Sequence, residues 1–220
     1  MFAPNRRLFV VQALQLAGVT LLAKSSPAIS AASPDSQPNL LPRMQWLNEP
    51  PSWAVEEGRL TVAASTAKAD FYRLPGWSVD NGNFFHLPVA GDFIFQARIG
   101  AEFAARYDQA GLMVRLDAEN WVKCGSELVD GQRLASVVFT RKYSDWSTMK
   151  DLSDTAAIWW QIVRWKESIK TLCSLDGRNF IVVREGYFPG SARIEVGLLC
   201  ASLEGRGVKA VFDSPQLSAL

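Results

Sequence analysis

Several side chains in this sequence stand at spacings that would let them act on one ligand. Trp121, Lys123 and Glu127 are separated by even numbers of residues, so on an extended strand they share one face. Gln109, Met113 and Arg115 do the same, on the face opposite Leu112 and Val114. Asp70 and Tyr72 form a third set on one face, and Asp145 and Trp146 stand in the polar run Ser144-Asp145-Trp146, expected to be a loop between strands. The chemistry these types suit is binding of a polar ligand that has an apolar face. An indole offers a flat apolar platform, while Lys, Gln, Arg and carboxylates bond hydroxyls directionally. The candidate ligand-binding residues are therefore Asp70, Tyr72, Gln109, Arg115, Trp121, Lys123, Glu127, Asp145 and Trp146. A plainer use stands beside this one. Lys123 and Glu127 would then form an ion pair that holds register, Asp108 and Asp145 would shape turns, and Trp146 would plug the edge of the fold.

Other chemistries find less support. The single histidine, His86, lies in the apolar run Phe84-Phe85-His86-Leu87, the setting of a structural imidazole rather than of a base in a Ser-His-Asp triad. Asp80, Asn81 and Asn83 could ligate calcium through oxygen, and equally could form a plain turn; no metal site is assigned. Cys124, Cys173 and Cys200 are far apart with no Cys-x-x-Cys spacing, so a zinc knuckle is not expected. Each sits in an apolar run and suits a small buried side chain, with one disulfide left open. No glycine-rich phosphate loop occurs, and no cofactor is implied.

The elements that must carry these residues alternate with period two. Phe93, Phe95, Ala97 and Ile99 interleave with Ile94, Gln96 and Arg98, and Val122, Cys124, Ser126 and Leu128 interleave with Trp121, Lys123, Gly125 and Glu127. That is the pattern of strands with one face on a core. Further strands are expected over 134–140, 156–165, 168–175, 180–184, 193–201 and 208–212. Asp130-Gly131 and Asp176-Gly177 fall between such runs and signal hairpins. No long helical stripe is present after the leader. Many short strands with turns between them make an all-β sandwich or jelly roll.

The amino terminus has a different character. Asn5-Arg6-Arg7-Leu8-Phe9 precedes an apolar run over 10–23 that contains Gln12 and Gln15, with small residues at Ala28-Ile29-Ser30 and Ser30-Ala31-Ala32. A basic head, a short apolar middle and small residues make an export signal, and the Arg-Arg pair resembles the twin-arginine class. The run is shorter than the roughly 20 residues of a membrane span. The expected division is a signal over 1–32, a Pro/Ser/Asn-rich linker over 33–42 and one domain over 43–220, delivered to the periplasm or outside the cell, with no membrane span after cleavage. The formal net charge is +1; Arg6, Arg7 and Lys24 lie in the first 30 residues, which hold no acid, so the remainder carries −2. Bulk charge thus argues against nucleic acid as a partner. A hydrophobic content of 48% suits one packed core, and 8 Trp are more than a core alone would call for.

The ordered set Asp108-Gln109-Ala110-Gly111-Leu112-Met113-Val114-Arg115 and Asn120-Trp121-Val122-Lys123-Cys124-Gly125-Ser126-Glu127 resembles the domain of unknown function 1349 family, which includes regulation of enolase protein 1-like sequences. Ala69-Asp70-Phe71-Tyr72, Gly91-Asp92-Phe93, Ser144-Asp145-Trp146-Ser147 and Ser174-Leu175-Asp176-Gly177 extend the resemblance in order from about Trp46 to Phe212. Tyr72 replaces the family's usual tryptophan, and Gly125-Ser126-Glu127 replaces its Gly-Ile-Glu. The resemblance implies a concanavalin A-like jelly-roll sandwich of two antiparallel sheets, with a concave face where sugars bind. Glucan-cleaving enzymes of that fold carry Glu-x-Asp-x-x-Glu on one strand; here the matching strand has Lys123-x-Gly125-x-Glu127, a single acid. Retaining hydrolysis needs two carboxyls about 5–5.5 Å apart, so no catalytic residue is assigned, although Glu127 and Asp145 could still pair through space. The leading expectation is a non-catalytic groove for an oligo- or polysaccharide. A protein-interaction or regulatory module with a protein partner, and a weak glycoside hydrolase, are the alternatives.

Overall fold

A computed structural model describes residues 39–150 and 156–220. The expected signal over 1–32 lies outside the described residues, as does most of the expected linker. Leu41–Arg43 form a 3-10 turn, and Leu40 and Leu41 are buried in the core, so packing begins ahead of residue 43.

The strands in chain order are β1 (Gln45–Leu47), β2 (Ser52–Glu56), β3 (Arg59–Ala64), β4 (Phe71–Leu74), β5 (Trp77–Asp80), β6 (Asn83–Ala90), β7 (Phe93–Glu102) and β8 (Asp108–Arg115). They continue as β9 (Asn120–Val129), β10 (Gln132–Arg141), β11 (Tyr143–Lys150), β12 (Ala157–Trp165), β13 (Ser168–Ser174), β14 (Ile181–Tyr187), β15 (Arg193–Ser202) and β16 (Lys209–Ala219). One seven-stranded sheet runs β1-β6-β15-β8-β9-β10-β11, and a second runs β14-β13-β12-β7-β16-β3-β2. Their strands pair antiparallel throughout, and the fold is the concanavalin A-like jelly-roll sandwich.

The inward sets are those the alternation assigns. Phe93, Phe95, Ala97 and Ile99 of β7 meet Leu112 and Val114 of β8 and Val122 and Cys124 of β9 in one buried cluster. Each large apolar side chain buried there contributes about 1.5–3 kcal/mol. Asp130 and Gly131 form the two-residue turn between β9 and β10, both at positive φ (49° and 77°), as a type I′ hairpin requires. Asp176-Gly177 does not close such a tight turn: β13 and β14 are joined by a longer loop, which the Asp176 carboxylate organises by accepting from the Arg178 and Asn179 N–H groups.

A small hairpin, β4–β5, belongs to neither large sheet. Its turn is Pro75-Gly76, with Gly76 at φ 81°, the conformation that a type II turn demands of its third residue. This hairpin lies over the outer face of the first sheet. Phe71 packs with Phe84, Met113, Trp121, Val138 and Leu199 in a second buried cluster. All five alternate with inward-facing residues, so this is a separate apolar layer on the far side of the sheet from the main core. Gly82 admits the Phe71 ring: a Cβ at that position would stand 2.5 Å from it. Arg115 clamps the hairpin through paired bonds to Asp80 (2.7 and 2.8 Å), and the Arg73 N–H bonds Ser144 Oγ on β11 at 2.9 Å.

Candidate functional site

The outer stripe of β9 runs Trp121, Lys123, Gly125, Glu127. The register sets Arg115 beside Trp121, Met113 beside Lys123 and Gln109 beside Glu127 on β8, and Ser136 beside Gly125 and Val138 beside Lys123 on β10. The β4–β5 hairpin seals one end of this stripe. At the other end is a pocket of about 230 Å³ lined by Asp70, Tyr72, Trp77, Tyr107, Lys123, Glu127, Val138, Trp146 and Leu203.

The pocket has aromatic walls. The hairpin supplies Tyr72 and Trp77, with ring centroids 6.3 Å apart and tilted by 50°. Tyr107 and Trp146 supply an edge-to-face pair at 6.4 Å. Trp77 is 47% exposed and Trp146 is 38% exposed, large apolar surfaces left open to solvent. The Trp146 Nε1–H bonds Ser136 Oγ at 2.8 Å, which fixes its ring. Tyr107 holds a left-handed backbone, φ 64°. That conformation costs a bulky residue about 1–3 kcal/mol and recurs at binding sites.

The floor is charged and buried. Lys123 Nζ lies 2.5 Å from Asp70 Oδ1, and the same oxygen accepts from Gln109 Nε2 (2.8 Å) and from the Phe71 N–H (2.6 Å). Glu127 is buried, and its Oε2 has no hydrogen-bond partner among the described residues. Burial pushes the Glu127 carboxyl above the usual glutamate range, and the Asp70 charge adds to this. The Lys123 ammonium, and the polar groups of Ser136 and Trp146 beside it, pull the other way. The Tyr72 hydroxyl is likewise raised, by burial first and then by the Asp70 and Glu127 charges.

The structure thus brings Asp70, Tyr72, Lys123, Glu127 and Trp146 to one pocket and sends the other candidates elsewhere. Trp121, expected as an outward platform, is fully buried because Phe71 covers it at 6.2 Å. Gln109 is buried below the floor and positions Asp70. Arg115 is taken up by Asp80. Asp145 alternates with Trp146 and points away, to Arg184 at 2.7 Å. The run Ser144-Asp145-Trp146 is not a loop but part of β11, with Trp146 opposite Val138 of β10. The open groove expected on this face is a pocket, since the hairpin occupies part of it.

Trp77, Tyr107, Val138 and Leu203 escaped the sequence reading. Pro75-Gly76 was a usable signal, being a turn dipeptide between two short strand-like runs; nothing near Tyr107 or Leu203 marks them. The plainer readings hold for several other residues. His86 Nδ1 is 2.8 Å from Glu195 Oε2, and its ring stacks on Phe84. Asp108 Oδ2 accepts the Ala104 and Ala105 N–H groups, both at 2.8 Å. Asn81 and Asn83 bond backbone and hydroxyl groups around their own turn. Among the described residues, no group of three or more His, Cys, Asp or Glu is placed to hold a metal, and no helix is long and apolar enough to cross a membrane. Cys124 and Cys200 are buried thiols; burial holds that of Cys200 up at about 12.

Comparison with known proteins adds kinship to this geometry. The family described as "Protein of unknown function (DUF1349)" matches residues 46–220. The Saccharomyces cerevisiae protein called Regulation of enolase protein 1 is 34% identical over 176 residues, covering 79% of this chain and 88% of that protein. A solved structure of a functionally unknown Saccharomyces cerevisiae protein superposes with a TM-score of 0.79 at 33% identity, over 82% of this chain and 98% of the other. The GH43 protein BlXynB of Bacillus licheniformis matches at 0.64 and 17% identity, over 81% of this chain and only 37% of that one. The carbohydrate binding module CBM66 of Bacillus subtilis matches at 0.50 and 14% identity, over 79% of this chain and 95% of the module. At such identities these last two share the fold alone.

Proposed function

The chain belongs to the family described as protein of unknown function DUF1349, and from that premise we propose that it is a non-catalytic binding protein whose pocket takes a sugar. The observation that carries this reading is the pairing of exposed rings, Trp77 and Trp146, with the buried Asp70–Lys123–Glu127 floor in one pocket. The rings offer apolar faces to a pyranose, and the floor offers donors and acceptors to its hydroxyls. A volume of about 230 Å³ lies below the 300–1,000 Å³ of sites for larger ligands. It suits one sugar unit, or the end of a chain, better than a long polymer segment. The shared fold with a carbohydrate binding module is consistent with this use. A glycan array and calorimetric titration, run on wild type and Trp146→Ala, test it. Binding that the substitution weakens at least tenfold supports the reading, and no binding to any glycan at millimolar concentration overturns it.

Two other readings have an observation each. Asp70 and Glu127 place two carboxyls in the pocket where the strand pattern offered one, which favours a weak glycoside hydrolase. Turnover of a polysaccharide that disappears in Glu127→Gln would establish that activity. The name of the yeast relative favours a regulatory protein contact, which a pull-down with immobilised domain tests. The Arg6-Arg7 signal pattern supports export to the periplasm or beyond. Cell fractionation of wild type and an Arg6→Lys, Arg7→Lys pair checks it, with precursor retained in the cytoplasm as the expected result.

A further inference from the structure

We infer that the sugar this pocket takes carries a protonated amine, so that a hexosamine binds in preference to the corresponding neutral hexose. The inference rests on the sugar-binding reading and narrows it to a ligand class.

Its first support is the charge lining the pocket. Two carboxyls, Asp70 and Glu127, face one ammonium, Lys123. Lys123 is committed to Asp70 at 2.5 Å, which leaves Glu127 without a cation of its own. The nearby arginines are already paired: Arg115 with Asp80, Arg73 with Glu119, Arg184 with Asp145 and Arg106 with Asp130. Glu127 is only 5% exposed, and its Oε2 has no partner among the described residues. A buried carboxylate in that state is costly, and a ligand that brings a cation relieves the cost.

The second support is the rings. Tyr72, Trp77, Tyr107 and Trp146 line the same pocket. Aromatic faces carry negative potential and attract ammonium groups, most strongly when the cation is desolvated. An amino sugar uses both properties, its ring C–H groups against an indole and its ammonium near Glu127. A neutral hexose would leave Glu127 with only the Lys123 charge that Asp70 already holds, and a uronic acid would add a third negative charge.

Glu127 faces Lys123 on its own strand, Gln109 from β8, Ser136 from β10, Trp146 from β11, and Asp70 and Tyr72 from the hairpin side. The raised Glu127 carboxyl gives the preference a pH dependence. As pH falls, Glu127 gains a proton while the amine stays charged, and the advantage of the amine shrinks.

Calorimetric titration of the wild-type protein at about pH 7 and again near pH 4.5 tests this. The panel is D-glucosamine, D-galactosamine and D-mannosamine, each against its parent hexose and its N-acetyl form, with tetramethylammonium as a cation that is not a sugar. The expected result is that at least one hexosamine binds about fivefold or more tighter than both neutral forms. The margin should narrow at the lower pH and in Glu127→Gln. Equal affinity for an amine and its neutral forms overturns the inference and leaves the sugar-binding reading intact. So does a margin that neither acid nor Glu127→Gln reduces; the wild-type pH arm stands by itself if that variant does not fold. No binding by any sugar at millimolar concentration overturns both. Tetramethylammonium binding as tightly as the best hexosamine, with no neutral sugar bound, shows a cation cage with no sugar selectivity, and likewise overturns both.

Discussion

Trp121 and Trp146 stand on the same outer face of the same sheet, with β10 between their strands, yet one is fully buried and the other is 38% exposed. The face is divided by the β4–β5 hairpin. Under it, Phe71, Phe84, Met113, Trp121 and Leu199 form an apolar layer as dry as the main core. Beyond its edge, the same sheet presents charged groups and open rings. The contrast teaches that residue type alone does not mark a binding surface. A tryptophan on a strand is a platform only where nothing lies over it.

The comparison can be broken by substituting the two indoles. Trp121→Ala should lower unfolding free energy by about 3–5 kcal/mol, the usual cost of emptying a buried aromatic site. Trp146→Ala should lower it by only about 1 kcal/mol while removing the proposed sugar binding. Urea denaturation and titration of both proteins give the two readouts, and equal destabilisation would dissolve the distinction. Lys123→Met tests the charged half with an effect of similar size. It leaves the buried Asp70 carboxylate without its paired cation, which should cost about 3–5 kcal/mol.

A smaller effect is expected at the boundary between the halves. Gly82→Ala brings a methyl group against the Phe71 ring, an overpacking that should cost about 1–3 kcal/mol. Because it displaces the hairpin and uncovers Trp121, the fraction of tryptophan fluorescence accessible to a soluble quencher should rise above that of the wild type. Unchanged quenching would mean that the hairpin does not depend on this fit.

The smallest effect concerns Glu127. Its folded-state carboxyl titrates above the unfolded value because of burial, so the native protein holds the proton to higher pH than the unfolded chain. Between those two values stability falls as pH rises, and above the folded value the contribution is gone. Glu127→Gln should remove that slope, and at pH values above the window the variant should be the more stable of the two. Urea midpoints measured from about pH 4 to 7 check the sign; parallel wild-type and variant curves would contradict it.

Much of the sandwich was legible because a strand with one dry face must alternate. The inward sets of β7, β8 and β9 follow directly from that rule. The early strands are harder to see. Phe84-Phe85-His86-Leu87 in β6 is buried on both faces, so the alternation that would mark it is lost. In β2 and β11 the residues are polar or exposed for most of their length, as suits strands at sheet edges. The site was legible in the same partial way. Even spacing placed Lys123 and Glu127 together, but Asp70 reaches Lys123 across 53 residues of sequence, a distance over which no local pattern carries information.

What the sequence by itself determined is which side of its strand each residue occupies, since successive side chains on extended backbone point to opposite faces. It also determined the family, through motifs in a fixed order along the chain. Only the tertiary structure decided which outward residues meet solvent. Exposure depends on what lies above a face, and here that was a hairpin whose own residues, Phe71 and Tyr72, seal one half of the sheet and wall the other. The segment from Asp108 to Glu127 therefore carries the identity of the protein throughout its length, and contributes to the pocket only through Lys123 and Glu127.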